Sequence, residues 1–217
     1  MKMLGGVSLV GNKVRMAKRG VRFEFADLGD LKQQMERNAE IMRGNMENFR
    51  RASTVVRTAQ LLALLAVSDA GERSQESGVR SQNAGASSSS LSESAPAFYL
   101  LTPDACILPS CLSIFGIGGV GCRIENANYW RDYAQNGRVM GRSSLFVSTL
   151  NSTPLCEAAI TIGAQGSIRY VDNSSEVESF LHFYPDALVL AMRIFEDRAA
   201  AGVFCRGIGN RLEGLLE

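Results

Sequence analysis

The chain has 217 residues, of which 46% are apolar, and its 23 basic and 22 acidic residues give a formal net charge of +1. A chain of this size and apolar content can build a sizeable core, so the molecule as a whole is not intrinsically disordered. The balanced charge lacks the basic excess of duplex-DNA binders, and no interaction with nucleic acid is expected. The most apolar run, residues 58–67, is shorter than the roughly 20 residues that span a membrane, and it is expected to form a buried helix.

In chain order, the sequence predicts a strand over 4–10, a helix over 30–49, a helix over 52–70 and a strand over 111–117. These are followed by a glycine turn with a helix over 125–136, a strand over 144–150 and a helix over 155–162. The last predicted elements are a strand over 167–171, a helix over 186–199 and a strand over 202–206. The helix over 30–49 is predicted from Met35, Ala39, Met42 and Met46, which recur at helical spacing. Alternating strands and helices indicate an α/β layered domain with a largely parallel sheet.

Residues 72–95 differ in composition from the rest of the chain. They include nine serines, and Val79 and Leu91 are the large aliphatic residues among them. Such a segment buries too little apolar surface to offset the entropy of ordering it, so it is predicted to be a disordered insertion. Residues 1–71 and 96–217 are then expected to form one domain around it.

The cysteines and the single histidine give no sign of a metal site. The five cysteines are Cys106, Cys111, Cys122, Cys156 and Cys205, an odd and scattered set. Basic residues follow the apolar N-terminus rather than preceding it, unlike a secretory signal, so the chain is expected in the cytoplasm with free, buried thiols. His182 stands between apolar residues and is expected to be packed rather than to act as a ligand or base, and zinc would need four well-spaced ligands.

Residues 116–121, Gly-Ile-Gly-Gly-Val-Gly, match the dinucleotide-binding fingerprint between a predicted strand and a predicted helix. The fingerprint also requires an acidic residue at the end of the next strand, where this chain has Asn151. A structural strand-to-helix turn is therefore the favoured interpretation. Nucleotide binding at Gly116–Gly121 stays as an alternative, and no cofactor is expected.

Several stretches follow one another in an order and at spacings typical of a known family. They are residues 50–71, which run from Arg50-Arg51 to Asp69-Ala70-Gly71, residues 114–130, residues 145–160, Ile162-Gly-Ala-Gln-Gly166 followed by Tyr170-Val171-Asp172, and residues 186–207. Together they resemble the N-terminal half of the β-ketoacyl synthases, of the thiolase-like superfamily, over most of residues 1–207. The resemblance implies half of a thiolase-like fold, with α/β/α layers and a mostly parallel sheet, and a place in fatty-acid or polyketide biosynthesis.

Departures from the family pattern bear on activity. Family members that condense acyl chains hold a cysteine on the tight turn after the strand equivalent to residues 167–171. Counting from Val171-Asp172 places Ser175 at that position, whereas counting back from the predicted helix over 186–199 places it near His182. No cysteine lies between Cys156 and Cys205. The chain also ends before the half that carries the family's two catalytic histidines, so a degenerate, truncated synthase, inactive on its own, is expected.

Three classes of function remain open. The first is a non-catalytic ketosynthase-like subunit, resembling a chain length factor, that pairs with itself or with an active ketosynthase and works with acyl carrier protein. In the family the strand equivalent to residues 167–171 pairs across the dimer, so a homodimer or heterodimer is expected. The second is an acyl transferase or hydrolase that uses Ser175, although a serine hydroxyl needs an adjacent base. The third is a nucleotide-binding domain that uses residues 116–121.

Overall fold

The computed structural model describes residues 1–39, 41–71, 109–118, 122–137, 146–147 and 149–207. The predicted serine-rich insertion at 72–95, Cys106 and residues 119–121 of the glycine turn lie outside the described residues.

Seven strands form one mixed sheet in the described part of the chain. They are β1 (Lys2–Val10), β2 (Lys13–Met16), β3 (Arg22–Glu24), β4 (Leu112–Ile117), β5 (Ile168–Val171), β6 (Leu188–Ile194) and β7 (Arg198–Cys205). Their order across the sheet is β3-β2-β1-β7-β6-β4-β5. Strand β4 is parallel to β5 and β6, and the other four pairings are antiparallel. The α/β class is confirmed, but parallel pairing is confined to β5–β4–β6, because short turns join β1 to β2, β2 to β3 and β6 to β7 as hairpins.

Five helices accompany the sheet in the ranges described above. They are α1 (Leu28–Arg37), α2 (Thr54–Ala70), α3 (Arg123–Asn136), α4 (Ser152–Ile162) and α5 (Ser174–Phe183). The side chains of Asp27, Ser53 and Asn173 accept backbone N–H bonds at the starts of α1, α2 and α5. These caps satisfy amides that have no partner within the helix, and they fix the residue at which each helix begins.

The two faces of the sheet carry separate cores. Residues of α1, α2 and α4 pack on one face against side chains such as Ile114 and Leu190. On the opposite face, Val177 and Leu181 of α5 pack against neighbours of those strand residues, such as Phe115. Successive side chains of a strand point to opposite faces, so β4 and β6 contribute to both cores. The two sides are called the α2 face and the α5 face below.

Helix α2 is the most deeply buried of the described helices. All but two of its 17 residues are buried, as expected from an apolar sequence that covers nearly the whole circumference of the helix. Its C-terminus lies directly against β1: a Cβ atom built on Gly5 would come within 2.4 Å of the backbone nitrogen of Ala70. A glycine is therefore required where the helix meets the strand.

Most of the predicted elements are confirmed, but three are wrong. The helix predicted over 30–49 ends at Arg37, because residues 41–46 bind to α2 and α4 instead of continuing α1. The helix predicted over 186–199 is strand β6 and the start of β7; its continuous apolar run reflects a strand buried on both faces. In the segment predicted as a strand over 144–150, the described residues Phe146, Val147 and Thr149 are helical.

Candidate functional site

The turn between β5 and α5 holds the position that the family resemblance gives to the nucleophile. Asn173 caps α5, and its Oδ1 accepts hydrogen bonds from the backbone N–H of Ser175, at 3.0 Å, and from the Ser175 hydroxyl. The Glu176 carboxylate accepts a bond from the backbone N–H of Asp172 at 3.0 Å, which completes a reciprocal cap. Ser175 is exposed on the first turn of the helix. Its hydroxyl thus donates to the neutral amide of the capping residue Asn173, which is not a base.

His182 is placed differently from the prediction. It lies seven residues after Ser175 on α5, roughly 10 Å along the helix axis, and it is exposed, in edge contact with the Phe183 ring at 5.8 Å. The prediction of a packed histidine is wrong because Val177 and Leu181 form the buried side of α5 and turn His182 toward solvent. Residues 186–199 contribute to strands rather than to a helix. The count back from that predicted helix, which placed the nucleophile position near His182, therefore has no structural basis. Ser175 remains the position at the start of the helix.

The described cysteines are free thiols, but most of them are not buried. Cys111 and Cys156 are exposed, Cys205 is half-buried and Cys122 alone among the four is buried. The prediction of buried thiols is therefore wrong for Cys111 and Cys156, which lie at the ends or outer faces of their elements. In the described residues, no group of three or more histidine, cysteine or acidic side chains could hold a metal ion.

A buried cluster around Tyr170 was not found by the sequence reasoning. Tyr170 is aligned with Gly116 across β5 and β4, and a Cβ atom on Gly116 would lie 3.0 Å from its ring. Its hydroxyl is buried and has no hydrogen-bond partner among the described residues. Burial raises the pKa of Tyr170, and the nearby thiols of Cys122 and Cys156 raise it further. A parallel register of two distant strands creates this contact, so no local sequence pattern reveals it.

Cys122 precedes α3 beside this cluster, and its thiol is buried. Burial raises its pKa to about 11, and the negative charge of Glu125 adds to the rise. Its thiol contacts the carbonyl oxygen of Leu150 at 3.9 Å, the length of a weak sulfur hydrogen bond. A nucleophilic cysteine needs a lowered pKa, whereas the pKa of Cys122 is raised.

Cys122 is expected to resist alkylation under conditions that label Cys156. At pH 8 about one Cys122 thiol in a thousand is ionised when the pKa is about 11, and the rate should rise about tenfold per pH unit. A short iodoacetamide pulse followed by mass-spectrometric peptide mapping measures this, with the exposed Cys111 and Cys156 as internal controls. Equal labelling of Cys122 and Cys156 at pH 8 would contradict the assigned burial.

The glycine turn at the end of β4 serves close packing where it is described. Leu155 and Tyr170 fill the space above Gly116, and Gly118 adopts a φ of 70° that favours glycine. The backbone N–H of Gly118 donates to the carbonyl oxygen of Val171 at 2.9 Å and joins the ends of β4 and β5. The strand beside β4 is β5, which is followed by Asp172, rather than the predicted strand ending near Asn151.

Two surfaces near the Ser175 turn are open for contact. Strand β5 is at the end of the sheet order, and no described strand pairs with its outer edge. Next to it, on the α5 face, the Arg169 guanidinium lies 5.3 Å from the centre of the Phe180 ring. Phe183 and Tyr184 follow on α5 and its C-terminus with 76% and 56% of their surface exposed. Exposed aromatic side chains beside an unpaired strand edge are typical of an interaction surface.

The fold is similar to a chain in the solved complex of a ketosynthase (ApeO) with its chain length factor (ApeC) from Xenorhabdus doucetiae. The TM-score is 0.52 at 10% sequence identity, and the match covers 96% of this chain and 81% of that chain. No protein-family model and no curated protein matches the sequence. The chain therefore has an α/β fold similar to that of a chain in a ketosynthase complex. Among the described residues, no helix is long and apolar enough to cross a membrane.

Proposed function

We propose that the chain is a ketosynthase-like subunit that does not itself condense acyl groups and that assembles with an active ketosynthase, as a chain length factor does. It would serve fatty-acid or polyketide synthesis on acyl carrier protein. The similarity to a chain of the ApeO–ApeC complex supports this class of protein at the level of the fold.

The turn before α5 is the observation that carries the proposal. Condensation needs a thiolate, and the position at the start of this helix is Ser175, whose hydroxyl is bound to the Asn173 cap. General-base catalysis requires a base within about 3 Å of the hydroxyl, whereas His182 is roughly 10 Å farther along the helix. The thiol of Cys122, which is buried, has a raised pKa. These observations support a subunit that keeps a ketosynthase-like scaffold and lacks the nucleophile.

The proposed partner contact is the outer edge of β5 together with the aromatic residues on the α5 face. An unpaired edge strand offers backbone donors and acceptors to another chain, and Phe183 and Tyr184 supply apolar area beside it. A partner that covers both surfaces would also cover the Ser175 turn. This supports a structural role for the turn within a heteromer.

Incubation of the purified chain with acyl carrier protein and a malonyl donor is expected to give no condensation product. Ser175→Ala should leave that result unchanged, because the hydroxyl only donates to the Asn173 side chain that caps the helix. Addition of an active ketosynthase from the same organism should produce a complex that co-sediments, and product should then depend on the thiol of the ketosynthase. Mass spectrometry of the carrier protein measures condensation and also detects any acyl group attached to the chain.

The matched control is Ser179→Ala, which removes another exposed hydroxyl of α5, one that donates to the Ser175 carbonyl oxygen at 2.9 Å. Condensation by the chain alone that is lost in Ser175→Ala and kept in Ser179→Ala would contradict the proposal. An acyl group captured on Ser175 without condensation would instead establish an acyl transferase or hydrolase.

A further inference from the structure

A methionine-rich pocket lies on the α2 face, away from the Ser175 turn and the α5 face. Its volume is about 310 Å³, and it lies between α1, residues 41–46 and α2. The apolar residues that line it are Met35, Ile41, Met42, Met46 and Leu64. Three of these are the methionines whose helical spacing suggested one continuous helix. They line a pocket instead, because the chain leaves the helical path after Arg37.

The wall of the pocket is held in place by contacts with two helices. The backbone N–H of Met42 donates to Ser68 Oγ on α2 at 2.8 Å, and that of Asn45 donates to the Thr161 carbonyl oxygen on α4 at 3.0 Å. Between them, a Cβ atom on Gly44 would lie 2.5 Å from the Thr161 carbonyl oxygen. These contacts hold the wall against α2 and α4 beside the pocket.

The chemistry of the lining selects an unbranched apolar chain. Methionine side chains are flexible and polarisable, so they adapt to a chain without a fixed shape. A water molecule takes about 30 Å³ of liquid and a methylene group is of similar size, so the pocket has room for roughly ten carbon atoms. Ligand pockets commonly begin at about 300 Å³.

Two charged residues, Glu36 and Arg43, line the pocket, and they differ in whether their charge is already paired. The Glu36 carboxylate is 3.4 Å from Lys32 Nζ one turn earlier on α1, so its charge is already paired. Arg43 is exposed and has no ion-pair partner among the described residues. An arginine at the mouth of an apolar pocket is suited to a carboxylate.

We propose that this pocket binds a medium-chain alkyl carboxylate, with the chain among the methionines and the carboxylate at Arg43. The site does not depend on the proposed function, because it lies on the opposite side of the sheet from the α5 face and needs no partner.

Calorimetric titration of the full-length chain with decanoate tests the proposal. We expect saturable one-to-one binding with a Kd of roughly 10–100 µM, the range for a ligand of this size, and at least tenfold weaker binding of butyrate. Met46→Trp, which fills the pocket, should weaken decanoate binding at least tenfold. Thermal melting checks that this variant is folded.

Arg43→Gln changes an exposed side chain and tests the head group separately. It should weaken decanoate binding about fivefold and leave decanol binding unchanged, whereas the control Arg50→Gln, an exposed arginine outside the pocket, should change neither. The proposal is overturned if decanoate shows no saturable binding up to 1 mM, which is about tenfold above the expected range. It is equally overturned if folded Met46→Trp binds like the wild type, or if the two arginine variants behave alike. None of these outcomes depends on a ketosynthase partner.

Discussion

Replacement of Asp69 by alanine is expected to lower the free energy of unfolding by about 3–5 kcal/mol. The Asp69 carboxylate is fully buried at the C-terminal end of α2 and accepts backbone N–H bonds from Gly6 at 2.8 Å, Lys18 at 3.0 Å and Arg19 at 2.9 Å. These bonds join α2 to β1 and to the turn after β2. Their loss would leave the buried amide of Gly6 without an acceptor, which is the costly outcome for a buried donor.

Urea denaturation of Asp69→Ala and the wild type measures this change. Asp69→Asn should recover less than half of the lost stability. The asparagine keeps one oxygen acceptor, but its NH₂ group would face backbone N–H groups that now donate to the second carboxylate oxygen. Asp186→Ala removes an exposed carboxylate in the turn before β6 and should change the stability by less than about 0.5 kcal/mol. A loss below about 1 kcal/mol in Asp69→Ala would mean that water replaces the carboxylate.

Ile168→Pro is expected to weaken assembly roughly 100-fold while leaving the fold intact. The carbonyl oxygens of Ser167 and Val171 accept hydrogen bonds from β4. The backbone groups of successive residues in a strand point to opposite sides, so the N–H and C=O of Ile168 point to the outer edge of β5. Proline removes only that outward N–H and is tolerated in edge strands. In a twofold pair of β5 strands two bonds would be lost, about 2–3 kcal/mol in total.

Analytical ultracentrifugation of the chain alone and with an active ketosynthase measures the effect. Ile168→Val, which keeps the N–H and the apolar character, is the matched control and should assemble like the wild type. Assembly of Ile168→Pro with wild-type affinity would show that the partner contact lies elsewhere. A wild-type chain that stays monomeric with and without the ketosynthase would remove the basis for an interaction at β5.

The elements predicted correctly are those in which local pattern and tertiary environment agree. Helix α2 was predicted from its composition, because a helix that is apolar all round has to be buried. Strand β6 was not, because a run such as Leu188–Ile194 fits a helix or a strand buried on both faces equally well. Met42 and Met46 have helical spacing, yet this segment is bound to distant parts of the chain. The backbone N–H of Met42 donates to Ser68 Oγ, and that of Asn45 donates to the Thr161 carbonyl oxygen.

In the candidate site, too, features set by the local sequence could be predicted and features set by tertiary contacts could not. The family resemblance gave two possible positions for the nucleophile, Ser175 and one near His182, and the absence of a cysteine at either is visible in the sequence. The contact of Tyr170 with Gly116 depends on the register between β5 and β4, and the role of Asp69 depends on backbone amides about 50 residues or more away. Contacts with backbone groups do not depend on the side chains of the partner residues. They cannot be predicted from side-chain patterns and become visible only in the three-dimensional fold.

The position of β1 has a consequence for biosynthesis. This strand lies inside the sheet between β2 and β7, and Lys2 is aligned with Cys205 in the β1–β7 ladder. On the ribosome, the β1–β3 hairpins emerge before β7, and the edge of β1 that receives β7 stays unpaired until residues 198–205 have been translated. Ladders of such high sequence separation form slowly, and unpaired edges are prone to aggregate. The nascent chain is therefore expected to depend on chaperones until β7 leaves the exit tunnel and completes the centre of the sheet.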